Sequence, residues 1–265
     1  MVFSNPTDCT IDDGICYKHL PRNMLQIFSL ELAKIQVDGG LVELYGYIAA
    51  WDGLDPLPNY IVNISRDDPI TVEQGSLINM VGPKRGIDMM DYCLIEFDMR
   101  IKTGKQEKDD LQLIDGATSI GPAGQWSNLF TVHIPGDYGI VGITLSCLEW
   151  AAEATIEVNI SEVKNGFNLL FGCLTSGMDK EIRLFDGDIT ESRGLKRSVV
   201  AVKMGSLIEL KIKVGALPLL PLPSSFYQHC CFEAKVHGHD TQEIKTAFAL
   251  ISVKVTWSTL PRELY

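Results

Sequence analysis

An all-β fold, an antiparallel β-sandwich built from an internal duplication, is what this sequence predicts, and three observations predict it. Apolar and polar residues alternate with period two through most of the chain. Turn-forming residues punctuate that pattern about every 8–12 residues, the spacing of short sandwich strands. One tetrapeptide recurs in matching surroundings.

The alternation is clearest in Ile95-Glu96-Phe97-Asp98-Met99-Arg100-Ile101-Lys102, where apolar side chains take one face and charges the other. That is the signature of a strand with one buried and one wet face. Ile156 to Ile160, Ile208 to Val214 and Ile251 to Trp257 repeat it. Shorter candidates are Phe28 to Ile35, Leu41 to Ala49, Tyr60 to Ile64, Leu111 to Ile114, Leu129 to His133, Ile140 to Ser146, Phe167 to Leu174 and Val199 to Val202. Asp38-Gly39-Gly40, Asp52-Gly53, Asp115-Gly116, Gly136-Asp137, Asn165-Gly166 and Asp186-Gly187 supply the turns between them. Only Thr241 to Phe248 and the Met89–Met90 region read as short helix.

Gly75-Ser76-Leu77-Ile78 returns as Gly205-Ser206-Leu207-Ile208. Each copy follows an alternating strand, a glycine turn and a second strand holding a glycine, Gly46 or Gly172. Downstream, Cys93-Leu94-Ile95-Glu96-Phe97 aligns with Cys230-Cys231-Phe232-Glu233-Ala234, after the proline-rich insert Pro218 to Pro223. The expected organisation is an N-terminal segment 1–23, one β-rich domain 24–260 and a tail 261–265. Within the domain, halves 24–120 and 154–258 are joined by 121–153.

With 34 acidic against 23 basic side chains the net charge is −11, which repels phosphate backbones and argues against nucleic acid as a partner. No run reaches the roughly 18 apolar residues of a membrane-spanning helix. The most apolar segment, Val214 to Pro223, is short and holds three prolines. The N-terminus has no basic start and no apolar stretch, so a cytoplasmic protein is expected. The seven cysteines are odd in number and irregular in spacing, unlike a secreted disulfide framework. Reduced thiols are expected, with Cys93, Cys147, Cys173 and Cys230 acting as small core residues and Cys9 and Cys16 placed to pair or react.

Several constellations are candidates for chemistry. Gly82-Pro83-Lys84-Arg85-Gly86 sets Lys84 and Arg85 between glycines, an exposed contact for an anion or an acidic partner. Trp51 with Asp52 and Asp55 forms a ligand loop for a sugar or another small molecule. Clustered loop carboxylates, here also Asp67, Asp68, Asp88, Asp91, Asp186 and Asp188, are the oxygen-rich arrangement that holds calcium. His237 and His239 share a strand face with α-carbons roughly 7 Å apart, a two-ligand start for a metal that needs a third ligand from another strand. The alternative for each is an ordinary turn or solvated residue. No Gly-x-Ser-x-Gly elbow, His-Glu-x-x-His or glycine-rich dinucleotide loop is present, so no catalytic residue and no cofactor is assigned.

Four segments then form a set: Gly82 to Gly86, Asp110-Leu111-Gln112-Leu113-Ile114-Asp115-Gly116, Ala151 to Val158 and Ser252-Val253-Lys254-Val255-Thr256-Trp257-Ser258. Together they resemble a plant domain of unknown function expanded in grasses. It is also found C-terminal to the rRNA N-glycosidase domain of jasmonate-induced ribosome-inactivating proteins of cereals. The resemblance spans about residues 24–260 and implies a stress or defence setting with an accessory role. It supplies no catalytic residue, and the glycosidase helix bearing the catalytic acid and arginine is absent from this chain. The expected function is a non-enzymatic interaction module with an unidentified protein partner. A carbohydrate or small-ligand binder, with or without calcium, is the first alternative. A hydrolase whose carboxylates converge in the fold is the second.

Overall fold

The computed structural model describes residues 10–13, 15–37, 40–121, 126–217 and 226–261. Cys9, the Asp38-Gly39 pair and the proline-rich insert fall outside them. Strands run in the order β1 (Ile11–Asp12), β2 (Ile15–Cys16), β3 (Arg22–Ile35), β4 (Leu41–Trp51), β5 (Asn59–Ile64), β6 (Ile70–Glu73), β7 (Leu77–Ile78), β8 (Ile87–Asp88), β9 (Cys93–Lys102) and β10 (Leu111–Ile120). They continue with β11 (Phe130–Gly136), β12 (Gly139–Ser161), β13 (Phe167–Thr175), β14 (Ile182–Ile189), β15 (Arg193–Gly194), β16 (Ser198–Lys203), β17 (Leu207–Ala216), β18 (Phe226–Glu233), β19 (Gly238–Lys245) and β20 (Leu250–Ser258). The one helical turn among the described residues is a 3-10 turn at Glu107–Asp109. The chain is thus all-β, with antiparallel sheets packed in a sandwich-like manner.

It divides into two compact units: Asn23–Cys147 (unit 2), and Met1–Arg22 with Leu148–Arg262 (unit 1). In unit 2, one sheet has the order β10-β9-β4-β5, with β6 also on β4. Opposite it, β3 carries β7 and β8, with the start of β12 beside it and β11 beyond. The expected alternation holds on β9, where Cys93, Ile95, Phe97, Met99 and Ile101 are buried and the intervening residues are not. Leu44 and Ile48 of β4, Leu30 and Leu32 of β3 and Ile143 and Leu145 of β12 complete the same apolar cluster. At about 25 cal/mol per Å² of apolar surface, this burial is the main driving force for the unit.

Unit 1 pairs its strands in a matching order, β14-β13-β17-β18, while the end of β12 lies between β16 and β20, with β19 outside β20. The two Gly-Ser-Leu-Ile turns match as well. Ser76 N–H donates to Glu73 O at 3.0 Å and Ser206 N–H to Lys203 O at 3.1 Å. Their glycines hold φ of +83° and +76°, a left-handed conformation that costs glycine little and other residues about 1 kcal/mol or more. After the turns the paths differ. Leu207 enters β17 directly, whereas Leu77-Ile78 pairs with β3 as β7, and the segment 79–92 intervenes before β9. Cys93 to Phe97 lie in β9, between β10 and β4, whereas Cys230 to Ala234 lie in and just after the edge strand β18.

Two further expectations change. Thr241 to Phe248 is not helical: up to Lys245 it is the edge strand β19, in register with β20 from Gly238↔Trp257 to Lys245↔Leu250. Pairing to β20 overrides the helix propensity of Gln242, Glu243 and Lys245. Met89 and Met90 form no helix either; the Met89 N–H donates to Asn23 O at 2.9 Å.

Candidate functional site

The segment 79–92 has no counterpart at the matching turn of unit 1, and it carries the most unusual chemistry of unit 2. It folds back over the end of the sheet where β4 finishes and β9 begins, with Trp51 and Leu94 opposite one another in the ladder. Asp52, the residue after β4, anchors it. The Asp52 carboxylate accepts Arg85 Nη1 at 2.5 Å, Arg85 Nη2 at 2.7 Å, the Asp88 N–H at 2.8 Å and the Leu54 N–H at 3.1 Å. A planar guanidinium suits this two-pronged geometry and an ammonium does not. Asn59, at the start of β5, completes the clamp by donating to Arg85 O at 3.0 Å and accepting the Lys84 N–H at 2.8 Å.

Both side chains of the Asp52–Arg85 pair are almost inaccessible, at 2% and 4%. The expectation that Arg85 is an exposed anion contact is therefore corrected, because its guanidinium is spent inside on Asp52. Lys84 is exposed, with its backbone tied to Asn59. Asp52 and Asp55 also depart from the expected ligand loop. Asp52 is saturated by four donors, and Asp55 Oδ1 accepts the Leu57 N–H at 2.8 Å, so both carboxylates shape the loop from within. Trp51 is half-buried, and its Nε1 is sealed without a hydrogen-bond partner.

At this end of the unit apolar side chains face solvent from the loops, Leu57 at 66% exposed, Met90 at 55% and Tyr92 at 65%, and from the start of β9, Leu94 at 41%. The Tyr92 ring lies so close to Gly121 that a β-carbon there would come within 2.5 Å of it. Sequence reasoning reads the Met89–Met90 region as short helix and assigns none of these side chains a contact role. The available signal is the break in alternation at Met89-Met90-Asp91-Tyr92, an apolar stretch that fits no strand face.

The outer face of the same sheet carries tyrosines and charges. Tyr47 donates to Glu96 at 2.7 Å and meets Tyr60 edge-on, with ring centroids 6.0 Å apart. The Glu96 bond, then burial, pushes the Tyr47 phenol up to about 12. Asp110 accepts Arg66 Nε at 2.6 Å and the Tyr45 hydroxyl at 2.9 Å. Arg66 first of all, with backbone N–H groups of Thr103 and Gly104, holds the Asp110 carboxyl well below the usual carboxylate range. Asp98 accepts from Arg100 and Gln112.

His237 and His239 are not brought into a ligand set in unit 1. The His237 ring tilts against that of His19 at 5.2 Å, and His239 sits exposed opposite Thr256. Among the described residues no group of three or more His, Cys, Asp or Glu side chains is arranged to hold a metal ion. Cys93, Cys147, Cys173 and Cys230 are buried free thiols, as expected, and Cys231 is exposed. Burial, followed by the Asp52 charge, pushes the Cys93 thiol up to about 12. Cys16, one of the two cysteines placed to pair or react, is disulfide-bonded. No helix among the described residues is long and apolar enough to cross a membrane.

Fold and site together define an all-β chain of two antiparallel units, one with a clamped apolar loop end. The chain belongs to the family described as a domain of unknown function (DUF6598), whose model matches residues 24–255. No curated protein matches it. Among solved structures it is similar to human GIVD cytosolic phospholipase A2, with a TM-score of 0.28 and 7% identity over 93% of this chain and 33% of that one. It therefore spans about a third of the phospholipase chain. It is also similar to the paired C2 domains of Extended-Synaptotagmin 2, with a TM-score of 0.27 and 9% identity over 97% of this chain and 99% of that one. No residue role is transferred from either.

Proposed function

We propose that this chain is a non-enzymatic interaction module that meets a protein partner through the loop end of unit 2. The observation that carries the reading is the group Leu57, Met90, Tyr92 and Leu94, four large apolar side chains left in water beside loops that a buried ion pair fixes in place. Covering one such side chain is worth about 1.5–3 kcal/mol, and a rigid base spares the partner the cost of ordering the loops. Side chains with catalytic potential are committed elsewhere: Glu96 to Tyr47, Asp98 to Arg100 and Gln112, and Cys93 as a neutral thiol. The resemblance to the grass-expanded domain supports a stress or defence setting and an accessory role.

Quantitative affinity capture tests the reading. Wild type and a Lys84→Ala control should retain a common protein that Met90→Asp/Tyr92→Asp loses by tenfold or more, with the melting temperature of the double variant unchanged. Equal recovery by all three would reject it.

A second reading, a carbohydrate or small-ligand binder, rests on Tyr47 and Tyr60, whose half-buried rings share the outer sheet face with Glu96. Glycan arrays run with and without calcium, on wild type and Tyr47→Ala, distinguish it. Signal that Tyr47→Ala abolishes favours this reading, and a blank array counts against it.

A further inference from the structure

The two sheets of unit 2 do not stay equally close along their length. At one end β10 and β11 touch: a β-carbon on Gly136 would lie 1.9 Å from the Leu113 carbonyl oxygen, so only glycine fits there. Towards the other end of these strands, roughly 20 Å away at about 3.3 Å per residue, they part around a cavity of about 340 Å³ lined by Thr118, Ser119, Ile120, Gly121, Phe130, Val132 and Cys147.

The ladders show that this gap opens from solvent onto the inner faces of the sheets. Thr118 and Ile120 lie opposite Ile95 and Cys93, both buried, so they face inward from β10. Phe130 and Val132 lie opposite the buried Leu145 and Ile143 and face inward from β11. Phe130, Val132 and Thr118 are nevertheless only partly buried, because small Cys147 and Thr118 leave the space between the sheets unfilled. Well-packed interiors have few voids larger than a water molecule, and an unfilled gap forfeits dispersion contacts along its whole lining.

We propose that this gap is a binding site for an uncharged, amphipathic small molecule, its apolar side against Ile120, Phe130 and Val132 and its polar groups towards Thr118 and Ser119. Three features fix that class. The volume is at the small end of ligand sites. No lining side chain carries a charge. Neither Thr118 nor Ser119 spends its hydroxyl on another described residue. The site lies between edge strands and adjoins the apolar loops proposed above to meet a protein, Tyr92 lying against its Gly121.

The probe is the neutral dye N-phenyl-1-naphthylamine, titrated into the whole chain. Wild type should give a saturable fluorescence increase with half-saturation below about 50 µM. Val132→Trp, which fills the gap, should weaken this at least tenfold while far-UV dichroism is unchanged. A second readout stands if that variant misfolds: in wild type the dye should slow N-ethylmaleimide alkylation of Cys147 several-fold and leave exposed Cys231 unaffected, read by peptide mass mapping. No saturable signal, equal binding by a folded Val132→Trp, or equal alkylation of Cys147 with and without dye overturns the proposal.

Discussion

Arg85 and Asp52 meet as a two-pronged ion pair in the interior of unit 2, with both side chains under 5% exposed. Buried charges of this kind are costly to desolvate, and removing one partner leaves the other stranded. Asp52→Ala or Arg85→Ala should each lower unfolding free energy by about 3–5 kcal/mol in urea titrations. Asp52→Leu/Arg85→Met should lose less than the sum of its singles, because no lone charge remains. Strict additivity would show that the pair does not couple.

The apolar loop side chains should behave in the opposite way. Met90 and Tyr92 are more than half exposed, so Met90→Ser and Tyr92→Ser should each change stability by no more than about 0.5 kcal/mol. A large loss would mean that these residues serve the fold and not a partner.

The Asp110 network contributes a pH dependence. Its folded carboxyl is depressed mainly by Arg66, so its stabilising effect is present above the unfolded value near 3.9 and is lost as pH falls towards the folded one. Wild type should therefore exceed Asp110→Asn in melting temperature at pH 7. The gap should narrow below about pH 4. A gap that is constant from pH 7 to pH 3 would contradict the linkage.

Thiol reactivity should separate the cysteines. The Cys93 thiol, raised to about 12, and Cys230, raised to about 11, present almost no thiolate at pH 8. Alkylation of native protein should mark Cys231 first, with Cys93 and Cys230 reacting only after denaturation. Early labelling of Cys93 would mean that the clamp region opens readily.

The pinch between β10 and β11 makes Gly136→Ala diagnostic. Its β-carbon would meet backbone, the Leu113 carbonyl, which cannot swing away as a side chain would. A loss above about 2 kcal/mol is expected, and a neutral substitution would show that the sheets separate there at little cost.

Much of this fold is legible in the sequence, for a definite reason. Where one face is wet, as along β9, period-two alternation survives in the residue order and strands are read directly. Where both faces are covered it does not. Residues 151–156 of β12 are all buried, polar Glu153 and Thr155 included, so Ala151 to Ile156 shows no wet face and the full Gly139–Ser161 strand is read only as its two ends. The edge strand β19 reads as helix because polar Gln242, Glu243 and Lys245 carry helix propensity and only the pairing to β20 reveals their role. At the site, Asp52 and Arg85 both stand out in the sequence, but separately and as surface groups. Local composition does not record that a turn aspartate and a loop arginine, distant in sequence, meet in the interior.

The loop end of unit 2 is the surface proposed to meet a partner. Hydrogen–deuterium exchange on the chain with and without its captured partner tests it most directly. Slowed exchange in residues 52–58 and 84–94 of the complex is the predicted result. Unchanged exchange there, with protection confined to other segments, would contradict it.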